Sequence, residues 1–304
     1  MSKIQEALSR IQARRGSAED SAEQTPDDDD SVIVAKLVEG EVPGSSPSGN
    51  GKRLHVDHEA LRDAGLIAPE YHEHLLANQY RDIKRPLIAH AFGKRATRID
   101  GGNLIMVSSA VPGEGKTFTS INMALSMAQE RDHEVLLVDA DVAKPHTSEI
   151  FGAATERGLL DVLEDPNIAV ESLILPTDVA GLKILPAGKP RHSATELLAS
   201  SAMEQVVSTL SQLSVGQIVV FDSPPLLLTS EAKVLASLAG QVVLVVRAEE
   251  TPQDAIAAAL SSLDEDKAVN LILNQIRAGF EQYQYGYGYG YGYGRNEREK
   301  GGAK

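Results

Sequence analysis

Six short apolar segments in the last two thirds of the chain determine its predicted architecture. Each is rich in valine, isoleucine and leucine, and near-continuous hydrophobicity of this length is typical of strands buried on both faces of a sheet. We therefore predict six core strands. They lie at residues 104–109, 134–141, 182–188, 217–225, 241–246 and 270–275.

Helical stretches separate these strands. They are predicted at residues 116–130, 194–213, 229–239 and 252–263. Such alternation predicts an α/β fold, a mostly parallel sheet with helices on both faces. Because the crossovers are right-handed, the carboxyl ends of the strands share one edge, and a ligand is expected there. We predict that one domain, residues 97–279, carries the chemistry.

The first 52 residues differ from the rest of the chain in composition and in the pattern of their apolar residues. In residues 1–15, Ile4, Leu8 and Ile11 follow one another at spacings of four and three, which predicts a short amphipathic helix. Its basic end would suit an anionic membrane surface or a partner's groove, unless the helix is only a marginal, solvated one. Residues 16–52 are rich in serine, proline, glycine and acidic side chains, so we predict a disordered linker.

Residues 53–96 are predicted to form a helical segment. From Val56 to about Phe92, the apolar side chains fall near one helical face. Pro86 is expected to end or kink this helix, because proline has no backbone N–H and its ring clashes with the preceding turn.

Composition narrows the functional classes. The 304 residues carry a formal net charge of −14, which argues against the basic surface that non-specific nucleic-acid binding needs. There is no cysteine, so disulfide and thiolate chemistry are excluded. No apolar run approaches the roughly 20 residues of a membrane span, and the first residues lack the apolar stretch of a signal peptide. We expect a cytoplasmic protein.

The first predicted strand runs directly into AVPGEGKTFTS, residues 110–120, which opens a helix. Gly113 and Gly115 allow backbone N–H groups to approach phosphates, and the helix N-terminus adds positive potential. Lys116 supplies a cation for the outer phosphates, and Thr117 supplies a hydroxyl for Mg²⁺. The pattern predicts a phosphate-binding loop (P-loop).

Two residues of this loop need comment. Ala110 stands where the usual pattern has its first glycine, a mild departure because GKT and the strand–loop–helix context are intact. Glu114 is expected to point outward, since an unpaired carboxylate would repel phosphates. The predicted nucleotide-binding residues are Pro112, Gly113, Glu114, Gly115, Lys116, Thr117, Phe118 and Asn274.

Acidic residues follow two further strands. Asp139 and Asp141 end one apolar run, and Asp222 ends another, so all three are expected at the ligand edge beside the P-loop. Carboxylates there can hold Mg²⁺ directly or through water, although either position alone would suit a helix cap. Asn274 ends the last strand, where its amide would either form hydrogen bonds to the edge of the adenine base or stabilise a turn.

The end of the chain is a low-complexity segment. Residues 283–293 read YQYGYGYGYGY and contain six of the eight tyrosines. The alternating glycines raise the entropic cost of ordering it, and no aliphatic residue offers a packing face. The segment is either adhesive or a substrate, and a P-loop in the same chain favours a substrate.

Together these motifs resemble the Walker A, A′ and B motifs of bacterial tyrosine kinases. The resemblance extends over residues 66–294 and is closest to the branch associated with exosortase and exopolysaccharide gene clusters. The motifs, in chain order, are AVPGEGKT, VLLVDADVAKP, LPAGK, ELLAS, IVVFDSPPLL and the tyrosine cluster. This resemblance implies a P-loop NTPase-like fold, Mg²⁺-ATP as cofactor and protein-tyrosine kinase activity.

The resemblance also implies roles for individual residues. Lys116 and Thr117 would bind the phosphates and Mg²⁺, and Asp139 would be the base or orienting carboxylate for the tyrosine hydroxyl. Asp141 would act through metal-bound water, and Asp222 would complete the metal site of Thr117, Asp141 and Asp222. The expected phosphoacceptors are Tyr283, Tyr285, Tyr287, Tyr289, Tyr291 and Tyr293.

The family's assembly is implied as well. Its kinase subunits form a ring in which the tail of one subunit reaches the active site of the next. A helix with a Glu-x-x-Arg-x-x-Arg pattern helps to build that ring, and here Arg81 and Lys84 occupy the two basic positions, with identity only at Arg81. A separate membrane polysaccharide co-polymerase would be the activator and would bring the kinase to the inner membrane.

Two other functions fit parts of the sequence. One is a partition or positioning ATPase that uses nucleotide to switch its dimerisation. Such proteins usually carry an extra lysine where Ala110 stands, and they have no use for a tyrosine tail. The other treats the tail as a binding module regulated by an ATPase domain.

Overall fold

The computed structural model describes the central part of the chain. The described residues are 53–63, 65–66 and 70–276, with only the backbone at 60, 63 and 70–75. The predicted N-terminal helix, the linker and the tyrosine tail, together with all six of its phosphoacceptors, lie outside the described residues.

Seven strands form one sheet within the described residues. They are β1 Leu104–Ser109, β2 Glu134–Asp139, β3 Leu175–Pro176, β4 Leu182–Leu185, β5 Gln217–Asp222, β6 Gln241–Arg247 and β7 Ala268–Asn274. Their order across the sheet is β3-β4-β2-β5-β1-β6-β7, and every pairing is parallel except the short β3–β4 pair. The predicted α/β fold with a mostly parallel sheet is confirmed.

Helices cover both faces of this sheet. They are α1 His58–Asp63, α2 Glu70–Phe92, α3 Lys116–Ala128, α4 His146–Ile150, α5 Leu159–Glu164, α6 Ala194–Leu198, α7 Ser201–Gln212, α8 Ser230–Leu238 and α9 Gln253–Ser261, with a 3-10 turn at Val170–Leu173. On one face, α2 and α3 share a hydrophobic core with the β strands, to which Tyr80, Leu87 and Ile121 contribute. On the other face, α5, α7, α8 and α9 pack over a second core around Phe221.

The structure differs from the sequence prediction at several element boundaries. The helix predicted at 194–213 is two helices, because Ser200 adopts an extended backbone and its hydroxyl donates to the Leu197 carbonyl. The predicted strands at 134–141 and 217–225 end earlier, at Asp139 and Asp222. The residues beyond those ends form the loops that build the ligand edge.

Pro86 was predicted to end or kink the long helix, and an end at this position is wrong. It lies inside α2, which continues to Phe92. Proline removes one helical hydrogen bond, but Leu87 and Ala91 after it are both buried in the core. Packing of these last turns therefore maintains the helix beyond the proline.

None of the helices in the described part of the chain combines the length and apolar character that a membrane crossing requires.

Candidate active site

The P-loop joins the end of β1 to the start of α3, as predicted. Gly113 and Gly115 have φ angles of 88° and 95°, in the region that favours glycine. At Gly115 a β-carbon would also lie 2.1 Å from Nδ2 of Asn274, so no side chain fits there. Lys116 and Thr117 then begin α3, with Thr117 fully buried at the base of the loop.

The Lys116 ammonium is held inside the site by the acidic strand ends. Its Nζ donates to Oδ2 of Asp141 at 2.5 Å, and both side chains are largely buried. Burial alone would lower the pKa of this ammonium, but the charges of Asp222, Asp141 and Asp139 outweigh burial and raise it. Lys116 therefore remains a cation, available for phosphate.

Asp139 and Asp222 face each other across the central strands. Their Cα positions are register partners in the β2–β5 pair, and both side chains are buried. Burial raises the pKa of Asp139 well above the usual carboxyl range, and the neighbouring charge of Asp222 raises it further. The pKa of Asp222 is raised as well, mainly by burial, against the opposing effect of Lys116.

Hydroxyl groups hold these two carboxylates in place. Oδ2 of Asp139 accepts from the backbone N–H and the hydroxyl of Ser148, at 2.7 and 2.6 Å. Asp222 accepts from Thr147 at 2.8 Å and from Ser120 at 3.2 Å. Oδ1 of Asp139 is buried and accepts no hydrogen bond within the described residues.

The donor set suits magnesium. Thr117, Asp141 and Asp222 supply the hydroxyl and carboxylate oxygens that Mg²⁺ prefers, and the unpartnered Oδ1 of Asp139 lies in the same acidic cluster. No group of three or more acidic or histidine side chains between residues 53 and 276 has an arrangement that would hold a metal ion. Mg²⁺ in phosphoryl-transfer sites is usually bound by one or two protein carboxylates, with water and substrate phosphates as the remaining ligands.

The orientation predicted for Glu114 is wrong. The side chain turns into the protein rather than outward, and Glu114 is only 1% exposed. Its carboxylate accepts from the backbone N–H of Val111 and from the hydroxyl of Thr251. These donors offset the repulsion on which the prediction rested.

Asn274 also lies beside the P-loop. Its Nδ2 donates to the Glu114 carbonyl at 2.9 Å, so one N–H of the amide is bound to the loop itself. Adenine reading by Asn274 therefore stays a prediction. So do the nucleotide contacts of the exposed Pro112 and the half-buried Phe118.

The two residues predicted to help build a ring have different environments. Arg81 is exposed on α2 and donates to Asn78 in the same helix. Lys84 is buried, and its Nζ contacts the Ser126 carbonyl at 2.5 Å and the Glu130 carboxylate at 2.7 Å. The structure contradicts the prediction for Lys84, because its ammonium is already bound within its own chain.

Sequence reasoning missed several residues of this site. Thr147 and Ser148 lie on α4, five residues long and too short to show helical periodicity. The proline at 145, immediately before that helix, is a recognised helix-start signal and was the available clue. Ser120 and Thr251 gave no signal, because their contacts join positions more than a hundred residues apart.

The sequence pattern of the AAA domain family matches residues 102–273, more than half of the chain. The chain belongs to the AAA domain family. The match begins just before β1 and ends in β7, so it includes the P-loop and all three acidic strand ends.

Curated relatives of this AAA domain protein are named tyrosine kinases. A putative tyrosine-protein kinase EpsB of Ralstonia solanacearum is 35% identical over 151 residues, covering 50% of this chain and 20% of that protein. Tyrosine-protein kinase YwqD of Bacillus subtilis (strain 168) is 29% identical over 211 residues, covering 69% of this chain and 85% of that protein. The chain thus spans only a small part of EpsB but most of YwqD.

Solved structures agree with these relatives. The kinase domain of VpsO is 27% identical, with a TM-score of 0.56, and the match covers 69% of this chain and 100% of that domain. The kinase domain of Escherichia coli tyrosine kinase ETK, 24% identical with a TM-score of 0.56, has the same fold, and the match covers 70% of this chain and 80% of that domain. The predicted resemblance to bacterial tyrosine kinases is confirmed, while assignment to the exosortase-associated branch stays a prediction.

Proposed function

We propose that this AAA domain protein is an ATP-dependent protein-tyrosine kinase that phosphorylates its own C-terminal tyrosine cluster, one subunit acting on the next. The observation that carries the proposal is the convergence of Lys116, Asp139, Asp141 and Asp222 on one P-loop, in a chain that ends in six closely spaced tyrosines. The names of its relatives support the same activity.

The site suits phosphoryl transfer because that reaction asks mainly for positioning and charge neutralisation. Lys116 and the loop amides would bind the phosphates of ATP. Thr117, Asp141 and Asp222 would hold Mg²⁺, which neutralises charge on the β- and γ-phosphates when bound. The tyrosine oxygen would form a bond to the γ-phosphorus as the bond to the ADP oxygen breaks.

Asp139 is the proposed acceptor of the tyrosine proton. A tyrosine hydroxyl has a pKa near ~10, so a nearby carboxylate helps to remove its proton as the bond forms. A raised carboxyl pKa makes Asp139 a stronger base than an ordinary aspartate. Because Asp139 is fully buried and its Oδ2 accepts from Ser148, its surroundings would have to rearrange before the tyrosine hydroxyl reached it.

The experiment is direct. Purified protein is incubated with ATP and Mg²⁺ and then probed for phosphotyrosine. We expect wild type to label, Lys116→Met to lose the signal because the phosphates lose their cation, and a chain ending at Phe280 to lose nearly all of it. Hydrolysis of ATP without phosphotyrosine, even with an activator fragment present, would contradict the kinase and favour a positioning ATPase.

The assembly and its setting are part of the same proposal. Subunits would form a ring in which exposed Arg81 takes part, and a separate membrane polysaccharide co-polymerase would recruit and activate them at the inner membrane. The role would be control of exopolysaccharide synthesis or export. Binding to nucleic acid is not expected from a chain with a net charge of −14.

A further inference from the structure

Side chains other than Lys116 and the three aspartates hold the tip of the P-loop from outside. The first contact is the buried carboxylate of Glu114. Its Oε2 accepts from the Val111 N–H at 2.8 Å, within the loop. Its Oε1 accepts from the hydroxyl of Thr251 and, at 3.4 Å, from the N–H of Arg247. Glu114 therefore ties the P-loop to the turn between β6 and α9.

The second contact comes from the end of β7. Nδ2 of Asn274 donates to the Glu114 carbonyl at 2.9 Å, and Nε2 of Gln275 donates to the Gly113 carbonyl at 3.3 Å. Gln275 has a φ of 58°, an uncommon conformation for a residue with a side chain. Since β1, β6 and β7 are neighbours in the sheet, these contacts join the loop to two adjacent strand ends.

These contacts determine the direction of the loop amides. No cis peptide occurs in the described part of the chain, so the N–H of Gly115 points opposite to the carbonyl of Glu114. Asn274 holds that carbonyl, and the Gly115 N–H must then point away from Asn274. Gln275 fixes the Glu114 N–H through the Gly113 carbonyl in the same way. Loop amides with a fixed direction bind phosphate without a reorganisation cost.

We propose that Glu114, Thr251 and Asn274 form a P-loop brace, a set of positioning residues that keeps the loop amides oriented for phosphate before nucleotide binds. The brace rests on the proposed function only in requiring a nucleotide site. It accounts for a buried glutamate in a loop that must accept phosphate. Loss of the brace lowers nucleotide affinity, while Lys116 and the acidic residues remain in place.

The test is a titration with fluorescent ADP, monitored by fluorescence, on the full chain. Thr251→Val and Asn274→Ala each remove one donor to Glu114, and we expect the Kd for ADP to rise about 5- to 50-fold for each. Thr251→Ser keeps the hydroxyl and should restore binding to within about twofold. Thr209→Val, which removes an exposed hydroxyl on α7, is the matched control and should bind as wild type does.

A second readout separates positioning from general loss of structure. In the autophosphorylation assay Thr251→Val should raise the KM for ATP while keeping most of kcat at saturating ATP. Equal ADP affinity in wild type, Thr251→Val and Asn274→Ala would overturn the brace. So would a loss of affinity that Thr251→Ser does not restore. Because ADP binding needs no phosphoryl transfer, a protein that binds ADP but makes no phosphotyrosine would refute the kinase and leave the brace standing.

Discussion

At the scale of single residues, burial controls the proton affinity of the acidic strand ends. Asp139 is buried among β2, β5 and α4, and one of its oxygens has no partner in the described structure. A buried, unpaired carboxylate oxygen costs free energy unless it is protonated or finds a cation. Asp139 is therefore expected to reduce the stability of the empty protein while serving the reaction.

The substitution Asp139→Asn tests this cost in metal-free buffer. The amide oxygen can accept from Ser148 as the carboxylate does, but it carries no charge. We expect the free energy of unfolding to rise by about 1–3 kcal/mol at pH 8, while phosphotyrosine formation is lost. Urea denaturation measures the first effect and antibody labelling the second.

The pH dependence has a definite sign. The folded-state pKa of Asp139 is raised, so between the ordinary carboxyl pKa and the raised one the folded state holds a proton that the unfolded state has lost. Its contribution to stability falls as pH rises from the ordinary carboxyl pKa through the raised one. The advantage of Asp139→Asn over wild type should therefore be larger at pH 8 than at pH 5. Asp266→Asn, at an exposed site, should show no such difference, and an equal advantage at both pH values would contradict the argument.

At the scale of elements, the long helix α2 is fixed to the P-loop helix by buried polar contacts. Lys84 donates to the Ser126 carbonyl near the C-terminus of α3, where carbonyls lack partners within the helix. Tyr80 bonds the Thr119 side chain one turn beyond Lys116, and burial raises the pKa of its hydroxyl. The segment proposed to contact a neighbour therefore rests directly on the helix that begins at the nucleotide site.

Matched substitutions on α2 separate docking from assembly. Lys84→Met keeps the buried stem but removes the ammonium, and we expect the free energy of unfolding to fall by about 1–2 kcal/mol. Glu130 is half exposed, so its share of that loss is small. Arg81→Met should change stability by less than about 0.5 kcal/mol and weaken oligomers instead. Thermal unfolding measures the change in stability, and sedimentation velocity measures the change in assembly. If Lys84→Met were as stable as wild type but its oligomers dissociated, Lys84 would be an interface residue after all.

The sequence predicted the sheet well and its short elements poorly, for a physical reason. Runs such as 104–109 are buried on both faces, so their composition records their environment. Helix α4 and strand β3 are too short to carry a periodic signal. Lys84 was predicted to contact a neighbouring subunit from the surface, because it occupies a basic position of the ring-building pattern. Its aliphatic stem, however, packs like an apolar side chain, so the residue can be buried. Glu114 was misjudged because its partners come from the distant ends of β6 and β7.

At the scale of the whole molecule, charge links the proposed chemistry to assembly. Each phosphate adds about −1.5 to −2 charges, so six would add roughly −9 to −12 to a chain already at −14. Tyrosines two residues apart lie at most about 7 Å apart in an extended chain, inside the physiological Debye length of about 8 Å. Progressive phosphorylation should therefore make tails repel one another and neighbouring subunits.

A pair of tail variants tests this repulsion. Replacement of all six tyrosines by glutamate should weaken self-association relative to replacement by phenylalanine, because only glutamate adds charge. Sedimentation equilibrium at low and at physiological salt measures the difference, which should shrink as salt screens the charges. Equally tight association of the two variants would rule out the electrostatic mechanism.

The position of Asn274 has a further consequence. It contacts the P-loop, and the chain leaves the described structure two residues later at Ile276. Tyr283 follows Ile276 by seven positions and Tyr293 by seventeen, so their reach is at most about 25 and 60 Å. Every acceptor is thus tethered beside a phosphate site. Transfer between subunits, as proposed here, must therefore compete with acceptors tethered beside their own subunit's site, whose effective concentration is set by the length of the tether.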